Sequence, residues 1–304
     1  MHIDSKTFDR KRTSEMKDFI FVEPTTVHEA LDFLEQKGEE SKILAGGCSL
    51  TILLKNGLID PKYVVSIEKL PGLDSLKHEN SQLRIGSLVP HRVIELSGLI
   101  KTHQPMLSQM ASCIGQVQVR NLGTLGGNLC HAEHRADPPA ALLALGAKVV
   151  LASKTGDRTL TMDNFVEDYY QTVIKPGEIL VEVLVSDLPP NSFSKYLRFS
   201  PRSTMEEPIV TVAVVSVPNK DGKIKELRLA LGAVAPKPFR VYDAEKLLVS
   251  KGLSEEAISE AASIAADHSD PLEDIYGPAD WKREMVSVHV RRILKTVQEH
   301  HSHK

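Results

Sequence analysis

The sequence predicts an α+β protein, and three observations predict it. Residues 19–67 alternate strand-like and helix-like runs, residues 83–185 are rich in strand-like runs, and from residue 193 three strands precede three helices. Alternation marks a small α/β lobe, whereas strands and helices in separate blocks mark α+β units.

Phe19-Ile20-Phe21-Val22 reads as a strand that Pro24 ends. Thr26-Val27-His28-Glu29 fits a capping box, and Val27, Ala30, Leu31 and Leu34 follow at helical spacing as far as Gly38. Ile43-Leu44-Ala45 is a strand, Leu50 to Lys55 a short helix with Ser49 as its expected cap, and Tyr63 to Ile67 a strand. Beyond Pro71-Gly72, Leu83 to Gly86 is a strand, His91 to Leu96 a helix, and Pro105 opens a helix running to about Ile114. Pro138-Pro139 opens another that closes at Gly146. Lys148 to Leu151 and Arg158 to Leu160 flank Thr155-Gly156-Asp157 as a hairpin, and Ile179 to Val185 is a further strand. This second lobe is expected to be mostly antiparallel.

Pro189-Pro190-Asn191-Ser192 is the expected linker. Phe193 to Ser200, Ile209 to Val217 and Ile224 to Val234 then read as a three-stranded antiparallel sheet, with a tight turn at Asn219-Lys220-Asp221-Gly222. Helices follow at about 240–249, 254–267 and 280–298, the last with Val286, Val290, Ile293, Leu294 and Val297 on one stripe. The expected organisation is an N-terminal tail (1–16), lobes at 17–70 and 71–190, a C-terminal domain at 191–299 and a tail at 300–304, where His300, His301 and His303 are read as solvated.

Composition narrows the function. With 304 residues and a net charge of −3, the chain lacks the basic excess of nucleic-acid binders. Cys48, Cys113 and Cys130 form no CxxC pair, so no self-contained zinc or iron–sulfur site is expected, and their sparseness fits a reducing, cytoplasmic setting. No apolar run approaches the ~18 residues needed to span a membrane. The first eighteen residues, polar and charged, do not read as a secretory signal. Glu206-Glu207 is an adjacent pair expected on opposite faces of a strand, and no acid–base dyad or nucleophile stands out.

Two glycine-rich stretches carry the functional signal. The first, Ala45-Gly46-Gly47-Cys48-Ser49-Leu50, joins a strand to a helix. That arrangement points free N–H groups and the positive end of a helix dipole at an anion. The second, Gly123-Thr124-Leu125-Gly126-Gly127-Asn128, could form a backbone anion nest edged by Thr124 and Asn128. Alone, the second stretch reads equally as a tight turn between packed elements. Neither is a GxGxxG dinucleotide motif or a P-loop. Together they point to a ligand with two phosphates gripped from two sides.

These stretches resemble the paired motifs of the FAD-binding (medium) subunit of the molybdenum hydroxylases, the xanthine dehydrogenase and carbon monoxide dehydrogenase type. The first family motif, approximately A-G-G-x-S-L, is similar to Ala45–Leu50. The second, approximately Q-V-R-N-x-G-T-[IL]-G-G-N-[LI], is similar to Gln118–Leu129, and Ala136-Asp137-Pro138-Pro139 follows as in the family. The likeness runs from about residue 17 to 298 and includes Tyr196-Leu197-Arg198-Phe199-Ser200.

The resemblance implies a two-lobed flavin fold of the vanillyl-alcohol oxidase type, with Ala45, Gly46, Gly47, Cys48, Ser49, Leu50, Gly123, Thr124, Leu125, Gly126, Gly127 and Asn128 around FAD. It implies that Asp137 accepts from a cofactor hydroxyl and that Leu180 and Arg198 make further flavin contacts; from the residues alone Asp137 reads as a helix N-cap ahead of Pro138-Pro139, and Arg198 as an exposed strand residue. It further implies partners: a molybdopterin-binding large subunit and a small subunit with two [2Fe-2S] clusters, in a dimer of heterotrimers. Electrons would pass through FAD to NAD, quinone or oxygen. Where the family has a short acidic or serine residue and then proline, this chain has His131-Ala132-Glu133-His134-Arg135. Solvated loop histidines are expected there, with a flavin contact from His131 or His134 left open. A flavin-free bridging subunit and a stand-alone flavin oxidase are the competing functions.

Overall fold

The computed structural model describes residues 16–203, 205–221 and 223–302. The expected N-terminal tail (bar Met16), Gly222 of the Asn219 turn and His303 lie outside them.

The first lobe has the expected alternation: β1 (Ile20–Val22), α1 (Val27–Lys37), β2 (Ser41–Leu44), α2 (Leu50–Lys55) and β3 (Tyr63–Ser66). The strands form a parallel sheet in the order β1-β3-β2. Thr26 Oγ1 accepts from the Glu29 amide at 3.1 Å. The reciprocal half of the capping box is displaced by one residue, because the Glu29 carboxylate accepts from the amide of Thr25 at 2.8 Å. Ser49 does not cap α2; its own backbone is helical and its side chain makes no capping bond.

The second lobe adds β4 (Leu76–Glu79), β5 (Gln82–Gly86), α3 (His91–Leu96), α4 (Gly98–His103), α5 (Pro105–Ser112), α6 (Val117–Leu122), α7 (Leu125–His131) and α8 (Pro138–Leu145). Then come β6 (Lys148–Ala152), β7 (Arg158–Thr161), β8 (Val166–Asp168), β9 (Gln171–Thr172) and β10 (Ile179–Ser186). Five strands make an antiparallel sheet in the order β4-β5-β10-β6-β7. Strands β4, β8 and β9 and helices α4, α6 and α7 are additions to the sequence reading. The β4–β5 turn is held by Asn80 and Ser81 at φ of 52° and 57°.

The C-terminal unit comprises β11 (Phe193–Phe199), β12 (Val210–Pro218), β13 (Ile224–Gly232), β14 (Phe239–Arg240), α9 (Tyr242–Lys251), α10 (Glu255–Asp267) and α11 (Ala279–Ser302). Its sheet has four strands rather than the three expected, because β14 pairs with β13 at Ala230–Arg240 and Leu231–Phe239. Helix α11 continues through the region read as a tail: His300 packs on the Phe193 ring, and His301 Nε2 lies 2.6 Å from Ser216 Oγ.

Strand β12 is buried on both faces. Val212 and Val214 belong to one core with Ile258, Val290 and Ile293. Ala213 and Val215 point the other way, as strand alternation requires, into a second core with Met110, Leu142 and Leu145. Helix α8 lies between the lobe and this sheet, and every one of its residues is buried. One continuous apolar layer therefore crosses the exposed linker at Pro189–Asn191.

Candidate flavin site

The two glycine stretches meet. A Cβ added to Gly46 would lie 1.7 Å from the Leu122 carbonyl oxygen, so the first loop presses directly on the end of α6. One on Gly127 would lie 3.5 Å from Ala45 Cβ, and Cys48 Sγ approaches the Val119 carbonyl at 3.8 Å. Burial raises the Cys48 thiol pKa, which keeps it protonated and inert.

The second stretch is not a loop. Thr124 is the N-cap of α7, its Oγ1 accepting from the Gly127 amide at 3.1 Å. The segment after β5 clasps this helix start: the amides of Leu125 and Gly126 donate to the carbonyls of Val89 and Ser87 at 3.0 and 2.9 Å, and the His91 amide donates to Gly123 at 2.9 Å. The approach leaves no room for a side chain on Gly126, where a Cβ would sit 2.5 Å from Ser87 Cβ. The Asn128 amide donates to Thr124. Four successive amides, Leu125 to Asn128, are thus bonded to protein and cannot form the anion nest expected of them.

The first loop is different. Among the described residues, the amides of Gly46, Gly47, Cys48, Ser49 and Leu50 donate to no protein acceptor, while all five residues remain part-exposed. Gly47 holds φ at +74°, a conformation suited to glycine. On the second stretch and the segment that clasps it, Asn128 Oδ1, Ser87 Oγ and His91 Nδ1 are buried without a protein partner. Burial, with the Arg120 charge behind it, lowers the His91 pKa to about 4, so its ring is neutral. Arg120 itself is fixed, its Nε 2.8 Å from Glu95 and its Nη1 donating to the carbonyls of Ile114 and Gly115.

Asp137 sits apart from the glycines in a buried ion pair. Its Oδ1 accepts from Tyr196 Oη at 2.6 Å and lies 2.9 Å from Arg198 Nε. The acid expected to meet a cofactor hydroxyl thus binds protein at that oxygen. Arg198 is no exposed strand residue: its side chain is 6% exposed and it also donates to the Glu206 carbonyl. Desolvation raises the Asp137 pKa to about 6 against the pull of Arg198. Leu180 is buried on β10 in the same core as Leu125 and Leu129.

The histidine segment is tied down rather than solvated. His134 Nδ1 lies 2.7 Å from Glu133, and its ring meets Tyr169 edge-on. Glu133 also accepts from Tyr170, whose ring packs near His131. Burial works against the Glu133 carboxylate, but these donors hold its pKa down to about 2. Arg135 pairs with Glu207 and Asp274, and Glu206-Glu207 lie in the β11–β12 connection, not on a strand. Sequence reasoning missed Ser87, His91 and Tyr196. Nothing in their spacing marks them, since each earns its place through a partner distant in the chain.

A family model described as the FAD binding domain in molybdopterin dehydrogenase matches residues 14–187, and one described as the CO dehydrogenase flavoprotein C-terminal domain matches residues 195–297. The 6-hydroxypseudooxynicotine dehydrogenase complex subunit alpha of Paenarthrobacter nicotinovorans is 33% identical over 276 residues, 91% of this chain and 93% of the relative. The carbon monoxide dehydrogenase medium chain of Hydrogenophaga pseudoflava is 32% identical over 277 residues, 91% of this chain and 96% of its own. Among solved structures, the carbon monoxide dehydrogenase of Hydrogenophaga pseudoflava that lacks the Mo-pyranopterin moiety superposes with a TM-score of 0.88 at 32% identity, covering 91% of this chain and 96% of that one. Quinoline 2-oxidoreductase from Pseudomonas putida gives 0.87 at 26% identity, covering 93% and 97%. The glycine pair, the fold and this similarity over nearly the whole length agree: the chain belongs to the FAD-binding medium subunits of the molybdenum hydroxylase family, a family of oxidoreductases.

Proposed function

We propose that this chain is the electron-transfer subunit of a cytoplasmic molybdenum hydroxylase, and that Ala45–Leu50 holds the FAD pyrophosphate. The observation that carries this reading is the run of five unpartnered amides, Gly46 to Leu50, together with the orphaned Asn128 Oδ1 on the stretch that touches this loop. Such a donor set fits an anionic diphosphate without lysines. The fold would be of the two-lobed vanillyl-alcohol oxidase type, with domain limits near 17–190 and 191–299.

FAD, once bound, supplies the redox chemistry. The chain's residues bind and orient it. The amides of the first loop donate to phosphate oxygens, and Gly123–Asn128 form the wall against which that loop is set. Thr124 and Asn128 offer polar side chains at the edge, and Leu180 closes the site from the core. The Asp137–Arg198 pair, with Tyr196, ties the start of α8 to β11. The expected partners are a molybdopterin-binding large subunit and a small subunit carrying two [2Fe-2S] clusters, assembled as a dimer of heterotrimers. The chain would receive electrons from those clusters and deliver them to NAD, a quinone or oxygen.

The test is a visible spectrum of the purified chain, taken before and after excess FAD and desalting. About one equivalent of flavin, released by acid, is the expected result. A chain that retains none, alone and when assembled with its partner subunits, would be a bridging subunit instead. Substrate turnover by the chain alone would make it a free-standing oxidase.

A further inference from the structure

On the second lobe, away from the glycine loops, three metal-ligating side chains converge from distant parts of the chain. His78 stands on β4, His103 at the end of α4, and Asp187 directly after β10. Their ligand atoms all lie within 4.8 Å of one another. Asp187 Oδ1 lies 3.1 Å from His78 Nε2 and 3.4 Å from His103 Nδ1, and Oδ2 lies 2.9 Å from His78 Nε2. The two imidazole rings stack with centroids 3.6 Å apart. All three side chains are part-exposed, so an ion can reach them from solvent.

The backbone under the cluster is fixed. The Asp187 amide donates to Ser81 at 2.9 Å, and the Ser186 carbonyl accepts from Gln104 Nε2 at 2.7 Å. These bonds anchor the residue after Asp187's strand and the residue after His103, so the ligands are carried on rigid supports. Two imidazoles and one carboxylate are borderline ligands suited to zinc and its neighbours rather than to calcium or magnesium. A tetrahedral site with Zn–N near 2.0–2.1 Å holds its ligand atoms roughly 3.3 Å apart. The separations of the two nitrogens from Asp187 Oδ1, 3.1 and 3.4 Å, match that spacing. The rings stack nearly parallel, so binding requires one part-exposed imidazole to rotate out of the stack until both lone pairs converge on the ion. Three protein ligands leave one position for water.

We propose that His78, His103 and Asp187 bind a single divalent transition-metal ion, zinc above all, as a clip joining β4, α4 and the end of β10. The site is independent of FAD, and it ties β4 and α4 to the end of β10, from which the chain leaves for the C-terminal unit.

The test is a titration of the metal-free full chain with Co2+ read by visible absorption, followed by competition with Zn2+. Because His300, His301 and His303 are a second source of imidazole, an H300Q/H303Q chain is titrated alongside. The expected result is one equivalent of tetrahedral cobalt signal that survives H300Q/H303Q, disappears on adding Zn2+, and weakens in H78Q and in H103Q. Each ligand loss should lower affinity by more than the roughly 10- to 100-fold typical of a lost outer-shell partner. Thermal melts of metal-free H78Q and H103Q check that both fold, and Zn2+ should raise the melting temperature of the wild-type chain but not theirs. Absence of saturable binding overturns the proposal, as does a signal lost in H300Q/H303Q or kept in H78Q and H103Q.

Discussion

Ala45–Leu50 and Gly123–Asn128 are both rich in glycine and they touch, yet they use their backbones in opposite ways. In the first, five consecutive amides have no protein acceptor and Gly47 adopts a left-handed φ. In the second, four consecutive amides are bonded to protein, and glycine is needed because the Ser87 backbone comes too close for a Cβ. Glycine enrichment thus has two physical causes here: a left-handed backbone beside free amides at Gly47, and close approach of one main chain to another at Gly126 and, within the first stretch, at Gly46. If the comparison is right, damage to the second region should appear first as lost stability, and damage to the first as lost cofactor.

The largest expected effect lies outside both regions, in the buried Asp137–Arg198 pair. Arg198→Met leaves the Asp137 carboxylate buried with only Tyr196 for a partner. Removing one member of a buried pair costs about 3–5 kcal/mol, and urea unfolding at pH 7 measures it. The loss should shrink on acidification, because a protonated Asp137 no longer needs a cation. A loss that stays the same at pH 5 would show that Arg198 acts through packing alone.

The same pair gives a pH signature. Asp137 titrates near 6 in the folded chain against 3.8 as the ordinary value. The folded state therefore binds the extra proton between those values, and this group's contribution to stability falls as pH rises from about 4 to 6. Two pKa units bound that contribution at about 3 kcal/mol. Total stability also carries carboxylates of opposite sign, Glu133 among them, so the quantity to measure is the difference between wild type and Asp137→Asn across that range. A difference independent of pH would remove the raised titration from the picture.

Gly126→Ala comes next. Its Cβ would meet Ser87 at 2.5–2.8 Å, side chain and backbone alike, and overpacking of this kind costs about 1–3 kcal/mol. Stability should fall in the flavin-free chain. A Gly126→Ala chain as stable as wild type but unable to keep FAD would reverse the roles assigned to the two stretches.

The fold was legible in the sequence where periodicity or punctuation was strong. Helix α3 runs from His91 to Leu96 as read, and α8 lies between Pro138 and the left-handed Gly146. Helices α6 and α7 were hidden because they are short, and α7 contains two of the glycines that disfavour helices in isolation. Edge strand β4, Leu76-Lys77-His78-Glu79, has one apolar residue in four and owes its place to β5. In the site, the glycine stretches announced themselves, but which one keeps its amides free did not, since that depends on Ser87 and Val89. Nor could spacing show that Asp137 would face Tyr196 and Arg198, or that His78, His103 and Asp187 would converge.

The smallest effect on stability, and the sharpest test of the contrast, belongs to Gly47. A Cβ there would meet only Leu44 Cδ1 at 3.4 Å and Thr51 Cγ2 at 3.5 Å, ordinary contacts. Gly47→Ala is therefore strained by its φ of +74° alone, at about 1–2 kcal/mol. Asparagine tolerates that conformation better than alanine, so Gly47→Asn should be the more stable of the two. Relief of that strain would turn the Gly47–Cys48 peptide against the two hydrogen bonds its carbonyl accepts from Thr51, and so redirect an amide of the cradle. Flavin retention after desalting should then fall in Gly47→Ala further than its stability does, and Gly47→Asn should recover part of both. A Gly47→Ala chain that keeps a full equivalent of FAD while losing only stability would make the first loop a packing device like the second.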